Sequence, residues 1–290
     1  MTVPDTAAPP AAPVRPAAPP RPHASRPAVP AVRGGDHRLA WGCLGVLAAV
    51  AAVEAATRLG LVSPALLPPP TRIGAELAAL VAEAEFRAAF GATLAGWALG
   101  FAAAVAAGVV LGLAVGIHPA VRAATASTID FLRPVPSVAF IPVVVLLFGT
   151  GIESKLALTV YAATWPVLLQ VVAGLRDVDP TAADTARSLR LGPLARLRHL
   201  TWPSALPYVL TGVRLAASLA LVLCVASELI IGNPGLGHEI TSAKNGAAFP
   251  RMYALIVVTG ALGVAIDLAL RPVARLALRR HPPGDRGAAR

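Results

Sequence analysis

The sequence predicts an all-α integral membrane protein with about six transmembrane helices and a helical hairpin between the fourth and the fifth. Hydrophobic residues make up 56% of its 290 residues and charged residues only 14%, whereas a soluble domain carries about a quarter charged residues. Apolar windows of about twenty residues, the length that crosses a bilayer, recur along the chain. One long charged segment, 176–206, interrupts them, and no stretch outside the windows is long enough to bury a soluble core.

The first 38 residues alternate Pro, Ala and Arg without a periodic apolar pattern. This composition predicts a disordered tail with polyproline II character; a docking peptide for a proline-reading module is the alternative. The segment is not expected to be a secretory signal, because the first apolar run begins only near Leu39 and lacks a small-residue cleavage site.

Six apolar windows define a membrane domain over 39–275, and a basic tail, 276–290, follows it. The predicted spans are 39–59, 91–116, 131–150, 155–175, 207–231 and 251–271. Prolines interrupt the third and fourth windows. Broken spans are tolerated where the backbone lines a cavity or packs against protein.

The distribution of cations predicts the orientation of these spans. With the N-terminus inside, 19 of the 25 Lys and Arg residues fall on the cytoplasmic side and six, Lys155 among them, fall outside. This asymmetry follows the positive-inside rule, so both termini and the segment 176–206 are predicted to be cytoplasmic. The net charge of +10 then needs no nucleic acid to explain it, and nucleic acid is not an expected partner.

The charged segment has the signals of two short helices in succession. Asp179 is a good N-cap and Pro180 suits the first helical position. Gly192 is predicted to close the first helix in a left-handed turn, and Pro193 to open the second. Pro203, followed by Pro207, is predicted to stop that second helix. Each helix has a modest apolar face and a cationic face, so the residues alone leave open a docking surface for a partner and an interfacial hairpin that only joins two spans.

Ionisable residues inside spans are costly, and each needs an explanation. Glu228 lies near the outer end of the fifth window, where a role in gating or helix packing and a plain interfacial position both stay open. Asp267 and Arg271 are spaced to form an i, i+4 pair. Arg214 is expected to extend to the cytoplasmic surface.

The charged segment resembles the EAA loop of ABC-importer permeases. The resemblance rests on 184–189, DTARSL, and on 200–207, LTWPSALP. Other stretches resemble the branch of that family that transports sulfonates, taurine and nitrate. These are LRPVPSVAFIP at 132–142, FGTG at 148–151, SELI at 227–230 and PGLG at 234–237. Together the resemblance covers about residues 60–275.

This chain departs from the family pattern in the hairpin. The glycine that the pattern places six residues after the acidic residue is Arg190 here, and a glycine follows two places later at Gly192. The usual Glu is Asp184, and the Leu before Pro203 is Trp202. Because Gly192 and Pro193 form a helix-stop, helix-start pair, we expect the turn there, with Arg190 on the last turn of the first helix.

The resemblance implies a permease subunit of an ATP-driven bacterial importer, whose hairpin is the coupling helix that docks in a cleft of the ATPase. It implies two ATPase copies, an extracytoplasmic substrate-binding protein, a homodimeric permease in the cell membrane, and a small solute such as an alkanesulfonate, taurine or nitrate. The residues it assigns to ATPase coupling are Asp184, Thr185, Ala186, Arg187, Leu189, Arg190, Gly192 and Pro203. The broken spans give a separate expectation: the third to fifth spans line the translocation path, with Pro136, Pro142, Gly149 and Glu228 as its candidate residues.

The chain is not expected to be an enzyme. It has no GxxxxGK[ST] phosphate loop, so ATP hydrolysis is expected in a separate subunit. Its histidines show no metal-ligand spacing, and no cofactor is expected. The alternative class is a secondary transporter or a membrane scaffold that works without an ATPase. Ion-coupled carriers usually contain several intramembrane acids and often an internal repeat, and this sequence shows few such acids and no repeat.

Overall fold

The computed structural model describes the backbone of residues 35–279 and the side chains of residues 40–277, all in helices and connecting turns. Residues 1–34 of the tail predicted to be disordered, and most of the basic C-terminal tail, lie outside the described residues. The helices are α1 (Gly35–Arg58), α2 (Pro70–Leu80), α3 (Ala84–Ile117), α4 (Pro119–Leu132), α5 (Ile141–Phe148), α6 (Ile152–Arg176), α7 (Pro180–Ser188), α8 (Pro193–Arg196), α9 (Trp202–Ile231), α10 (Leu236–Asn245) and α11 (Phe249–Arg279). Within the described residues there is no strand, and the all-α prediction is confirmed.

Among the described residues, five helical stretches are long and apolar enough to cross a membrane, and a bent pair of helices makes a sixth. The prediction of about six spans is therefore confirmed. The third differs from the prediction, because the window 131–150 lies across a bend of 84° between Pro119–Leu132 and Ser137–Phe148. Pro134 and Pro136 lie at this bend. Proline lacks the backbone N–H and disfavours helical geometry in the residue before it, so the helix stops there.

The chain divides into two units, 1–48 and 49–290, with the boundary inside α1. In the first unit, the described side chains, 40–48, are all exposed. In the second, the carboxylate of Glu54 accepts hydrogen bonds from the backbone N–H and the hydroxyl of Thr71, at 3.0 and 2.9 Å. Glu54 thereby satisfies a free donor at the start of α2.

Helices α3, α6 and α9 pack together through small residues. On α3, every fourth residue over 96–112 is a buried Gly or Ala. A Cβ added to Gly108 would lie 2.6 Å from Cβ of Val167, and one added to Gly112 would lie 2.7 Å from Cβ of Val171. Small residues at this spacing let helix backbones approach closely, which is how helices associate in a membrane.

The second hairpin helix does not stop at Pro203 or Pro207, which corrects the prediction. A π-helical turn, Leu197–Thr201, joins α8 to α9, so the helical path from Pro193 to Ile231 is continuous over 39 residues. Proline in a helix clashes with the carbonyl four residues earlier. The wider π turn directly before Pro203 accommodates that clash, as such turns commonly do at helix irregularities.

Candidate functional site

The first candidate site is the hairpin formed by α7 and α8. Its start agrees with the sequence prediction: the side chain of Asp179 accepts a hydrogen bond from the N–H of Thr181 at 2.8 Å, and Pro180 is the first helical residue. At the base of the hairpin, the hydroxyl of Tyr208 donates to Asp177 at 2.6 Å, which ties α9 to the end of α6. The hairpin is therefore fixed to the bundle by hydrogen bonds and by the continuous helix.

The turn of the hairpin lies at Arg190, so the predicted turn at Gly192 and Pro193 is wrong. Helix α7 ends at Ser188, and Arg190 has a φ of 54°, in the left-handed region. The N–H of Arg190 donates to the carbonyl of Arg187 at 2.9 Å, and that of Leu191 donates to Ala186 at 3.0 Å. These two bonds form a Schellman motif, which places its one left-handed residue at the position where the family pattern has glycine. Gly192 instead has an extended backbone (φ −63°, ψ 162°) before Pro193.

The residues predicted to couple to an ATPase differ in exposure. Ala186 is buried, whereas Leu189 is 69% exposed; Leu194, which is not in the predicted set, is 76% exposed. Pro203 lies at the start of α9 and not at the tip of the hairpin. The exposed members of the predicted set are Asp184, Thr185, Arg187, Leu189, Arg190 and Gly192. The hairpin thus presents exposed leucines together with exposed charges, a composition typical of a docking surface.

The second candidate site is a buried ionic cluster around Glu228. The carboxylate is fully buried and forms an ion pair with Nζ of Lys155 at 2.8 Å. It accepts a hydrogen bond from the hydroxyl of Thr93 at 2.9 Å and one from the N–H of Gly237, in the first turn of α10, at 3.0 Å. Lys155 also donates to the carbonyl of Pro234 at 3.0 Å. Because the two charges neutralise each other and are hydrogen-bonded, the cluster meets the conditions under which buried charges are tolerated.

The backbone at the start of α10 passes so close to the side chain of Glu228 that two positions require glycine. Gly235 has a φ of 154°, and a Cβ on it would lie 2.4 Å or less from three atoms of the Glu228 carboxylate. A Cβ on Gly237 would lie 2.7 Å from Cβ of Glu228. The hydroxyl of Thr93 accepts from the N–H of Leu236 at 2.8 Å. Glu228 is therefore the centre around which the chain between α9 and α10 is folded.

A further set of hydrogen bonds fixes the turn between α5 and α6 to the same loop. The side-chain amide of Asn233 donates to the carbonyls of Thr150 and Gly151, each at 2.6 Å. The hydroxyl of Ser154 donates to the carbonyl of Gly149 at 2.6 Å, and Gly149 itself has a φ of 73°. Four elements, α3, α5, α6 and α9, are thus connected near the start of α10.

The predicted path residues come from different elements of the structure. Glu228 lies inside the bundle and Gly149 at the end of α5, whereas Pro136 and Pro142 are exposed on the bent third span. Their assignment to a path stays a prediction. Lys155, which the sequence places among the outer cations, has a buried side chain. The sequence does contain a signal for this ion pair. Lys155 and Glu228 have opposite charges, and each lies within one helical turn of the predicted outer end of its span.

An exposed ionic group connects α9 with α11. Asp267 pairs with Arg271 at 2.7 Å, which confirms the predicted i, i+4 pair. It also pairs with Arg214 at 2.7 Å, so the acid connects two cations; the extension of Arg214 to the cytoplasmic surface stays a prediction. Among the described residues, no group of three His, Cys, Asp or Glu side chains is arranged to hold a metal ion.

The helices and the two sites define a class: a multi-pass helical membrane protein with an exposed hairpin at one end of a continuous helix and a buried ionic cluster near its other end. The profile of the family described as binding-protein-dependent transport system inner membrane component matches residues 104–277. The chain belongs to this family.

Several curated relatives are similar to part of the chain. The taurine transport system permease protein TauC of Escherichia coli (strain K12) is 34% identical over 157 residues, 54% of this chain and 57% of that protein. The putative aliphatic sulfonates transport permease protein SsuC of the same organism is 30% identical over 54% of this chain and 59% of its own length. The nitrate import permease protein NrtB of Synechocystis is 27% identical over 47% and 50%. The matches therefore span less than two thirds of these relatives.

Solved structures share the fold. An inward-facing MetNI methionine ABC transporter matches with a TM-score of 0.53 and 19% identity, over 63% of this chain and 92% of that one. At this identity the likeness establishes the fold alone, and it agrees with the membrane bundle described above.

Proposed function

We propose that this chain is the permease subunit of an ATP-driven importer and forms the transmembrane path for a small solute. Its family membership supports this function. So do the names of its relatives, which are permeases for taurine, aliphatic sulfonates and nitrate. From those names and the residues that resemble that branch, we infer that the solute is a small oxyanion of the alkanesulfonate, taurine or nitrate type.

One observation carries the coupling part of the proposal: the continuous helix from Pro193 to Ile231. At 1.5 Å per residue, its 39 residues extend over about 58 Å. One end carries the exposed Leu194 of the hairpin, and the other end carries the buried Glu228. A displacement of the hairpin is transmitted along such a helix, since helices move as rigid elements in switching proteins.

The proposed assembly has a defined polarity. Two ATPase subunits bind the hairpins of a permease homodimer on the cytoplasmic side, where the cation distribution predicts the hairpin to lie. A substrate-binding protein docks on the opposite side, at the loop 232–237 and α10. Movement of the ATPases shifts the hairpins and, through α9, the helices that carry Glu228 and Lys155. Access to the path then alternates between the two sides.

The experiment tests whether the exposed tip binds an ATPase. Leu189→Glu places a charge on a side chain that is 69% exposed, so the fold should tolerate it while an apolar contact would not. We expect ATP hydrolysis that copurifies with the tagged chain from its native membrane to fall at least tenfold, together with uptake of labelled taurine, sulfonate or nitrate.

The matched control is Thr181→Glu, on the same hairpin but in the first turn of α7, where an acidic residue is favourable. It should leave both readouts unchanged. Equal amounts of both variants in the membrane verify that insertion is intact. If Leu189→Glu preserves copurifying ATP hydrolysis and uptake at the level of Thr181→Glu, the coupling proposal is refuted.

A further inference from the structure

An apolar groove of about 500 Å³ lies between α9 and α11. One wall consists of side chains of α9 between Ala217 and Leu229, and the other of side chains of α11 between Thr259 and Ile266. Gly260 faces an open part of the groove, since a Cβ added to it would have no atom within 4 Å. Neither the hairpin nor the ionic cluster around Glu228 uses this space.

The charged residues of α11 place the groove within the hydrocarbon layer. Both α9 and α11 are long and apolar enough to cross a membrane. Residues 252–266 of α11, between Arg251 and Asp267, carry no charge. At about 1.5 Å per residue this segment extends over about 22 Å, less than the hydrocarbon thickness of about 30 Å. The α11 wall of the groove lies wholly within this segment, so the groove lies at the depth of the acyl chains and Asp267 lies towards one edge of the layer.

The ionic group of Asp267 stands directly beyond one end of the groove. Ser218 and Ile266 line that end. Arg214 lies one helical turn before Ser218 on α9, and Asp267 follows Ile266 on α11. Because Asp267 pairs with both Arg214 and Arg271, the group has two cations, one acid and a net positive charge.

The two guanidinium groups have donors beyond those that Asp267 uses. Each guanidinium has five N–H donors. Asp267 accepts one hydrogen bond from Arg214 and two from Arg271. The side chains of these arginines are 44% and 50% exposed, so an anion can reach them from outside the bundle.

We propose that the groove and this ionic group together bind one anionic phospholipid. The phosphate accepts hydrogen bonds from Arg214 and Arg271, because guanidinium donors match the oxygens of a phosphate. One acyl chain lies in the groove against Val222 and Gly260. Basic pockets between membrane helices on the cytoplasmic side are suited to anionic headgroups, and the cation distribution predicts that side for Arg214. The lipid thereby joins α9, which carries the hairpin, to α11.

This proposal depends on the membrane-spanning bundle and not on the proposed transport function, so either can fail without the other. The full chain is purified in detergent, delipidated, and titrated with phosphatidylglycerol or phosphatidylcholine. Binding of each lipid is measured by native mass spectrometry. The variants change the charge of the ionic group and the volume of the groove separately.

The charge variants are Arg214→Gln and Asp267→Asn. We expect the unmodified chain to bind phosphatidylglycerol about fivefold more tightly than phosphatidylcholine, the contribution of one cation near an anionic lipid. Arg214→Gln leaves the group without net charge and should abolish this preference, whereas Arg133→Gln, at an exposed cation at the end of α4, should retain it. Asp267→Asn should raise the affinity for phosphatidylglycerol about fivefold, because both cations then face the phosphate.

The opposite shifts separate a lipid site from a merely structural ion pair, since both variants break the same pair. Asp267→Asn keeps both cations and decides the question if Arg214→Gln does not fold. Gly260→Leu fills the groove and should weaken the binding of both lipids. Gly91→Leu is the matched control on α3, where an added Cβ also has no atom within 4 Å, and it should leave binding unchanged.

Four results would overturn the proposal. The first is equal binding of both lipids to the unmodified chain. The second is a shift of phosphatidylglycerol affinity in the same direction in Arg214→Gln and Asp267→Asn. The third is equal lipid binding by Gly260→Leu and Gly91→Leu. The fourth is dissociation of a lipid-free dimer by Gly260→Leu but not by Gly91→Leu, which would assign the groove to a second copy of the chain.

Discussion

The buried ion pair permits a prediction of stability that depends on its two partners together. Glu228→Leu removes the carboxylate and leaves the ammonium of Lys155, which is 3% exposed, without its counter-charge. Removing one member of a buried pair typically costs about 3–5 kcal/mol, because the remaining charge stays buried and unpaired. Lys155→Met has the same effect on the carboxylate, and we expect a similar loss of unfolding free energy.

The double variant, Lys155→Met with Glu228→Leu, should be more stable than the sum of the two losses indicates. Replacing both charges by apolar side chains removes the penalty of the unpaired charge. The N–H of Gly237 and the carbonyl of Pro234 still lose their partners, at about 1–3 kcal/mol each. We therefore expect the unfolding free energy of the double variant to be about 3 kcal/mol higher than the sum of the two single losses predicts. This difference is at the upper end of measured coupling energies.

Reversible unfolding in mixed micelles, followed by circular dichroism, measures these free energies. The control is the exposed pair of Asp184 and Arg187 on the hairpin, where the same kind of double replacement should show little coupling because water screens both charges. Additive losses at Lys155 and Glu228, or a loss below about 1 kcal/mol for either single variant, would refute the claim that the cluster acts as a neutral buried unit.

Two further predictions concern glycine positions. Arg190→Gly should stabilise the hairpin by about 1 kcal/mol, because Arg190 has a φ of 54° and glycine adopts this conformation without steric cost. Slower amide hydrogen exchange at Leu191 measures this gain in stability. Exchange that is unchanged or faster would contradict the Schellman turn. Gly108→Ala should destabilise the bundle by about 1–3 kcal/mol, since its Cβ would lie 2.6 Å from Val167. Gly91→Ala is the control on the same helix, and it should not be destabilising because no atom lies within 4 Å of the added Cβ. An equal loss of stability in both variants would exclude the packing explanation.

The helices could be predicted because their signals are local. Apolar windows, the N-cap at Asp179 and the proline at the start of α7 all depend on neighbouring residues, and the structure has them where the sequence indicates. The bounds of the third span differ from the predicted window because hydropathy detects the length of an apolar run and not its direction. The stripe of small residues over 96–112 was visible in the sequence at a spacing of four, but the windows average over it.

The ionic cluster could not be predicted in the same way. Lys155 and Glu228 are 73 residues apart, and only the packing of α6 against α9 brings them together. A single sequence shows each as an isolated charge near a span end. The sequence does not predict the turn at Arg190, because glycine is the stronger sequence signal for a left-handed residue and the chain has one two positions later, at Gly192. The backbone hydrogen bonds of the Schellman motif place that residue by position, whatever its side chain.

The π turn between α8 and α9 determines the direction in which the hairpin faces. A π turn contains about one residue more than an α turn, and each residue of an α-helix rotates the chain by about 100°. If Leu197–Thr201 adopted regular α geometry, α8 would rotate by about that angle around the axis of α9. Leu194 would then point to a different side of the molecule. The direction in which the proposed docking surface faces thus depends on one hydrogen bond of the π turn, from the N–H of Trp202 to the carbonyl of Leu197, rather than on the membrane bundle.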